Sequence, residues 1–133
     1  MRQTKTTTLN DIKTRTRETA LNNKQKGNYI MFIKKSQELN LQYVCVRTYS
    51  AGVHIGYLSE RDGQEVELKN ARRVWFWAGA ASLSQLAEEG SSKQTECKIS
   101  VTVSNILLLQ AIEIISISAQ AKKNLDAIQD WRA

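Results

Sequence analysis

A chain of 133 residues with 41% hydrophobic and 24% charged residues has the make-up of one globular domain with a single core. Its longest apolar runs, Ile106–Leu109 and Ile114–Ile115, fall far short of the roughly 20 residues a membrane helix needs. The net charge of +6 is a poor argument for nucleic-acid binding, because it is local: residues 1–41 hold nine Lys or Arg against three Asp or Glu, and residues 42–133 hold ten against ten.

Residues 1–41 read as a basic, weakly structured N-terminal extension. Thr8 or Asn10 would cap a helix over about 11–24, ended by Lys26-Gly27-Asn28. Its thin apolar stripe of Leu9, Ile12 and Leu21 would leave such a helix marginal. Met31, followed by Phe32-Ile33-Lys34-Lys35, resembles a working start, with Lys26-Gly27 codons able to spell a ribosome-binding sequence upstream. On that expectation the arm's charge carries no information about function. No apolar stretch with a small-residue cleavage site opens the sequence, so a cytoplasmic location is expected.

From Gln42 the signals sharpen into a domain over 42–133. Tyr43–Tyr49 alternates and is rich in β-formers. Val53–Glu60 and Glu65–Trp77 flank Arg61-Asp62-Gly63-Gln64, which reads as a hairpin with a two-residue turn at Asp62-Gly63. That register sets Tyr57 against Leu68, Ile55 against Asn70 and His54 against Ala71. Val53, Ile55, Tyr57, Val66, Leu68, Val74 and Phe76 then share the core face. His54, Leu58, Glu60, Glu65, Glu67, Lys69, Arg73, Trp75 and Trp77 share the other. Arg72 and Asn70 interrupt the core face late in the strand, and Arg72 is expected to cap backbone carbonyls or cross a subunit contact.

Gly79 ends the strand, and Ala80–Glu89 reads as a short helix with Leu83, Leu86 and Ala87 inward, closed by Gly90. Cys97–Val103 alternates as a half-buried strand. Ile106–Ser118 is β-branched and nearly continuous, as in a strand buried on both sides or at an interface. Ser118 caps a last helix in which Ala121, Leu125 and Ile128 follow helical spacing toward Trp131. The sum is an α+β fold: a small twisted antiparallel sheet of about five strands with two short helices.

Two stretches, Arg47-Thr48-Tyr49-Ser50-Ala51-Gly52-Val53-His54-Ile55-Gly56 and Asn70-Ala71-Arg72-Arg73-Val74-Trp75-Phe76-Trp77-Ala78-Gly79-Ala80, resemble a family of small uncharacterised phage and prophage proteins. The resemblance covers about residues 42–131 and also runs through Ser82-Leu83, Cys97-Lys98 and Ala111–Ile115. It implies a phage origin, and with it a bacterial host cytoplasm, but no activity. Family members start close to the Tyr43 strand, so residues 1–30 are a departure.

Enzyme chemistry finds little footing. Histidine occurs once, at His54, expected on the outer face, and no acidic residue near it in sequence is spaced to orient it. No HExxH and no GxxxxGK[ST] is present. Gly52-Val53-His54-Ile55-Gly56 lies in a strand and precedes no helix, so its glycines point to close backbone approach or a bulge. Cys45 and Cys97 have no metal-ligand spacing and read as reduced structural thiols. No cofactor or metal is expected.

The favoured reading is a non-enzymatic binder of an anionic, nucleotide-like ligand, held by Arg47, Tyr49, His54, Arg72, Arg73, Trp75 and Trp77. Indole faces stack on nucleobases, and Arg supplies cation–π contacts and bidentate phosphate bonds. Tyr43 neighbours this group if Val44 and Val46 point inward. In a phage, such a binder would sequester a nucleotide-derived defence signal. Two other readings compete: a structural protein using the Trp face as a homo-oligomer contact, and nucleic-acid binding, which the neutral balance of residues 42–133 disfavours.

Overall fold

The computed structural model describes residues 22–28 and 40–133, and the chain divides into two units, Met1–Leu39 and Asn40–Ala133. In the first unit, residues 23–28 are helical. Asn22 opens this stretch with a reciprocal cap: the Gln25 N–H donates to Asn22 Oδ1 at 2.9 Å and the Asn22 N–H to Gln25 Oε1 at 3.1 Å. Lys26-Gly27-Asn28 is therefore helical, not the helix end expected from its Gly-Asn pair. The capping sites at Thr8 and Asn10, the helix up to residue 21 and the start at Met31 lie outside the described residues.

The second unit is α+β. Its strands are β1 (Tyr43–Thr48), β2 (Val53–Asp62), β3 (Glu65–Phe76), β4 (Lys98–Ile99), β5 (Val103–Leu108) and β6 (Ala111–Ser116). Helix α1 (Leu83–Glu89) follows β3, a 3₁₀ turn (Gln94–Glu96) precedes β4, and α2 (Ala119–Asp126) follows β6. Ser82 and Ser118 cap the two helices by accepting the N–H of Gln85 and Ala121, and Gly90 closes α1 at φ 76°.

All named strands pair antiparallel in the order β6-β1-β2-β3. The far edge of β3 is shared: β5 pairs with its first half and β4 with its end. Strands β5 and β6 thus sit at opposite edges of the sheet, yet only Leu109-Gln110 joins them. So short a link requires the sheet to coil until its edges approach. The Ala111 N–H donates to Gln64 O at 3.0 Å, tying the hairpin tip to the start of β6. The sheet does not close, for β5 and β6 form no ladder among the described residues.

Coiling gives the sheet two buried faces. On one, Tyr43, Cys45, Ile55 and Val74 pack with Leu86 of α1, Leu125 of α2, Ile99 and Ile128. On the other, inside the coil, lie Val44, Val46, Val66, Leu68, Ala71, Leu108 and Ala111. Strand β1 is buried on both sides, which places Tyr43 in the helix-side core rather than beside an outer face. Burial pushes the Cys45 thiol up to about 12, with Glu113 adding to it, so the group is an inert neutral thiol.

The expected hairpin register is corrected by one turn and two bulges. Gly63 has φ 58° while Gln64 keeps a negative φ, so the two-residue turn is Gly63-Gln64 with Asp62 facing Glu65. A Gly at the first central position is the type II′ pattern; the Asp-Gly reading assumed Gly at the second. Between Ile55↔Arg72 and Tyr57↔Lys69 strand β3 carries an extra residue, and Asn70 there has φ 48°. Between Leu58↔Leu68 and Glu60↔Glu67 the extra residue, Ser59, is on β2. The Asn70 bulge reverses side-chain parity. Val66 and Leu68 therefore share a face with Ala71 inside the coil, whereas Val74 joins Ile55 under the helices.

Two further elements differ from expectation. The run 106–118 is not one strand: it breaks at Leu109-Gln110, where the chain leaves the β3 edge for the β1 edge. In the run 97–103 only Lys98–Ile99 pairs before β5 begins at Val103.

Candidate functional site

Beyond the Asn70 bulge, β3 carries Arg72 and Arg73 to opposite sides of the sheet. Arg72 turns toward the helices and is 6% exposed. Its Nε donates to Ser100 O at 3.0 Å, Nη1 to Leu125 O at 3.1 Å, and Nη2 to Ile128 O at 2.9 Å and to Asp130 Oδ1 at 3.2 Å. The expectation that Arg72 caps carbonyls describes this geometry, and it removes the guanidinium from contact with any ligand. Arg73 is exposed, and among the described residues no carboxylate lies within ion-pair distance of it. Its backbone is clamped by Ser100, whose Oγ accepts the Arg73 N–H at 2.8 Å and whose N–H donates to Arg73 O at 2.9 Å.

Arg73 borders a depression of about 500 Å³ shared with Thr48, Ser50, Ala51 and Ile106–Gln110. The β1–β2 turn forms one wall and is tightly held. Thr48 Oγ1 donates to Gly52 O at 2.7 Å and accepts the Ala51 N–H at 2.9 Å, and the Tyr49 N–H donates to Gln110 O at 2.9 Å. Below the turn is His54, 1% exposed and paired with Arg73 across the ladder. Its Nε2 lies 2.9 Å from Ala51 O, and a carbonyl can only accept, so Nε2 carries the proton. Burial holds its pKa below the ordinary histidine value, with Arg73 lowering it further against the raising effect of the Ala51 bond. His54 is thus a neutral buttress inside the sheet, where the sequence placed it outside opposite Ala71.

Trp75 follows Arg73 on the same side of β3 and is 66% exposed. Its ring stacks on Trp131, with centroids 6.1 Å apart and planes 18° from parallel. The Lys98 ammonium lies 5.5 Å from the Trp131 ring. Gly52 precedes Val53, the partner of Val74, so Gly52 lies across from Trp75. A Cβ built on Gly52 would meet nothing within 4 Å, so open space adjoins the turn there. Arg73 and Trp75 thus share one side of the end of β3, with Trp131 stacked on Trp75 and the Lys98 ammonium beside Trp131.

The remaining sequence candidates scatter. Trp77 lies one residue past the end of β3, where strand alternation no longer aims it; it is half-buried against the helix-side core and its Nε1 donates to Ala80 O at 3.3 Å. Arg47 is held by its cross-strand neighbour Glu113 at 3.5 Å. Tyr49 projects into solvent from the turn, 78% exposed. Lys98 and Trp131 were not among the sequence candidates. Trp131 lies 56 positions from Trp75, and no local period links the two. The described residues contain no group of three His, Cys, Asp or Glu able to hold a metal.

No curated protein and no solved structure matches this chain. A family model does match it, over residues 41–125, from the start of β1 to Leu125 of α2, so that Arg73 and Trp75 lie inside the match and Trp131 outside it. The chain belongs to the family described as Domain of unknown function (DUF6948).

Proposed function

We propose that the domain is a non-enzymatic binding module for an anionic, aromatic ligand of nucleotide type, with Arg73 meeting the anion and Trp75 the ring. The observation that carries this reading is the pairing, on one side of β3, of a guanidinium that has no carboxylate partner among the described residues and an indole two-thirds exposed. Residues two apart on a strand are separated by roughly 6.5–7 Å. That spacing suits a base on the indole and its phosphate on the guanidinium. Base–indole stacking is worth roughly 1–3 kcal/mol, and a charge-assisted Arg–phosphate pair adds to it. Together they supply roughly 3–6 kcal/mol of favourable contact. In a phage-encoded protein, such a site would withdraw a nucleotide signal from the host cytoplasm without turning it over.

Calorimetry against cyclic and ADP-ribose-type nucleotides tests the proposal. At least one should bind, and Arg73→Ala and Trp75→Ala should each weaken it by about tenfold, or roughly 1.4 kcal/mol. Silence across the whole panel removes the reading. A second reading, self-association through the Trp face, is favoured by the exposed Trp75, Phe76 and Trp131. Light scattering separates the two: dissociation of an oligomer by Trp75→Ala, with nucleotide binding unchanged, would favour the contact over the site.

A further inference from the structure

The residues after α2 are tied back to β4 and to Arg72. Past Asp126 the backbone tightens, with the Ile128 N–H donating to Leu125 O at 3.1 Å, and Ile128 drops into the helix-side core at 5% exposure. Asp130 then forms an isolated parallel bridge with Ile99, and the Trp131 N–H donates to Ile99 O at 2.8 Å. Arg72 binds this stretch at three places, Leu125 O, Ile128 O and Asp130 Oδ1. Those carbonyls belong to the last turn of α2 and the turn after it, where helix carbonyls lack intrahelical partners and negative charge collects. Trp131 is the first residue beyond these anchors, and its indole lies on Trp75.

We propose that residues 127–132 are a strap that completes the binding platform, with Trp131 and Lys98 as part of the ligand-facing surface and Arg72 as its positioning residue. This rests on the reading of Trp75 as a ligand contact. An isolated exposed indole on a strand samples several rotamers, and ordering it on binding costs affinity. With Trp131 against one face, Trp75 is already fixed when a ring arrives. Arginine is required at 72 because its planar fork reaches acceptors in divergent directions, whereas a lysine ammonium is a single point on a flexible stem. Asp130 joins the strap to the fork, and its other carboxylate oxygen takes Arg132 Nη2 at 3.1 Å.

Two indoles stacked this closely couple excitonically, which gives a far-ultraviolet circular dichroism couplet that needs no ligand to be seen. The full-length chain should show the couplet, keep it in Trp77→Phe and lose it in Trp75→Phe and in Trp131→Phe. Arg72→Lys and Asp130→Asn should weaken it and raise acrylamide quenching of the tryptophans at temperatures where the fold is intact. If Arg72→Lys does not fold, Asp130→Asn decides, since it removes one partly exposed anchor only. A wild-type chain without a couplet, or a full couplet in Asp130→Asn, overturns the strap. AMP titrated into wild type and Trp131→Phe reads the platform separately: weaker binding in the variant supports it, and equal measurable binding overturns it. Failure of every nucleotide to bind wild type while the couplet behaves as stated would sink the ligand reading and leave the strap standing.

Discussion

Arg72 and Arg73 are chemically identical neighbours with opposite fates, set by one strand's alternation. Truncating Arg72 leaves three carbonyl acceptors and Asp130 without their donor in a buried site, so Arg72→Ala should cost about 3 kcal/mol or more. Truncating Arg73 removes an exposed side chain, so Arg73→Ala should stay within about 0.5 kcal/mol. Urea unfolding midpoints of the two variants check the contrast, and similar losses would contradict it. His54 makes a second residue-scale prediction. Its pKa is lowered in the fold, chiefly by burial, so the unfolded chain binds the proton more readily. The stability tied to neutral His54 is complete above about pH 6.5 and declines as pH falls toward the lower folded value. Between about pH 7 and 5.5, unfolding midpoints of wild type should drop more steeply than those of His54→Asn. Parallel slopes would mean that His54 is not the group responsible.

At the scale of elements, the β2–β3 hairpin is controlled by its bulges. Asn70 holds φ 48°, a conformation that costs most side chains roughly 1–2 kcal/mol and that Asn and Gly tolerate. Asn70→Ala should destabilise by about 1 kcal/mol, while Asn70→Gly should be near neutral. Opposite the bulge, a Cβ on Gly56 would lie 3.1 Å from Ala71 Cα and from Lys69 O. Those are backbone atoms that cannot swing aside, so Gly56→Val should cost about 1–3 kcal/mol or more by overpacking. Thermal denaturation of the three variants distinguishes a bulge that must form from one that is incidental. If Asn70→Ala proves harmless, the parity reversal at that position loses its support.

For the whole molecule, charge is the property that matters. The balance of +6 belongs to residues 1–41, and residues 42–133 are neutral. Any affinity for a polyanion such as heparin or DNA should therefore reside in the N-terminal residues. Deleting residues 1–39 should abolish most of it and flatten its dependence on salt, because every phosphate that is no longer neutralised takes nearly one unit from the slope. Nucleotide binding at Arg73 should survive the same deletion. Retained, salt-steep binding to DNA by the shortened chain would instead move the nucleic-acid reading to the sheet.

The sequence alone was enough for features that depend on near neighbours. Alternation located β1 to β3, Ser118 and Gly90 mark two of the helix ends, and the α+β class follows from their succession, while the first helix starts at Leu83 behind the Ser82 cap and not at the expected Ala80. It also identified Trp75 as outward and Arg72 as a capper of carbonyls. Only the tertiary structure decided what depends on distant pairing. The residue that flips strand parity is a single Asn with no turn or bulge signal to mark it, and its effect on Val66, Leu68 and His54 emerges only when β3 is laid against β2. The split of 106–118 follows from a coiled sheet whose two edges need the same stretch of chain. The stacking of Trp131 on Trp75 needs the strap, β4 and Arg72 to meet, and no period in a linear chain encodes the meeting of segments that far apart.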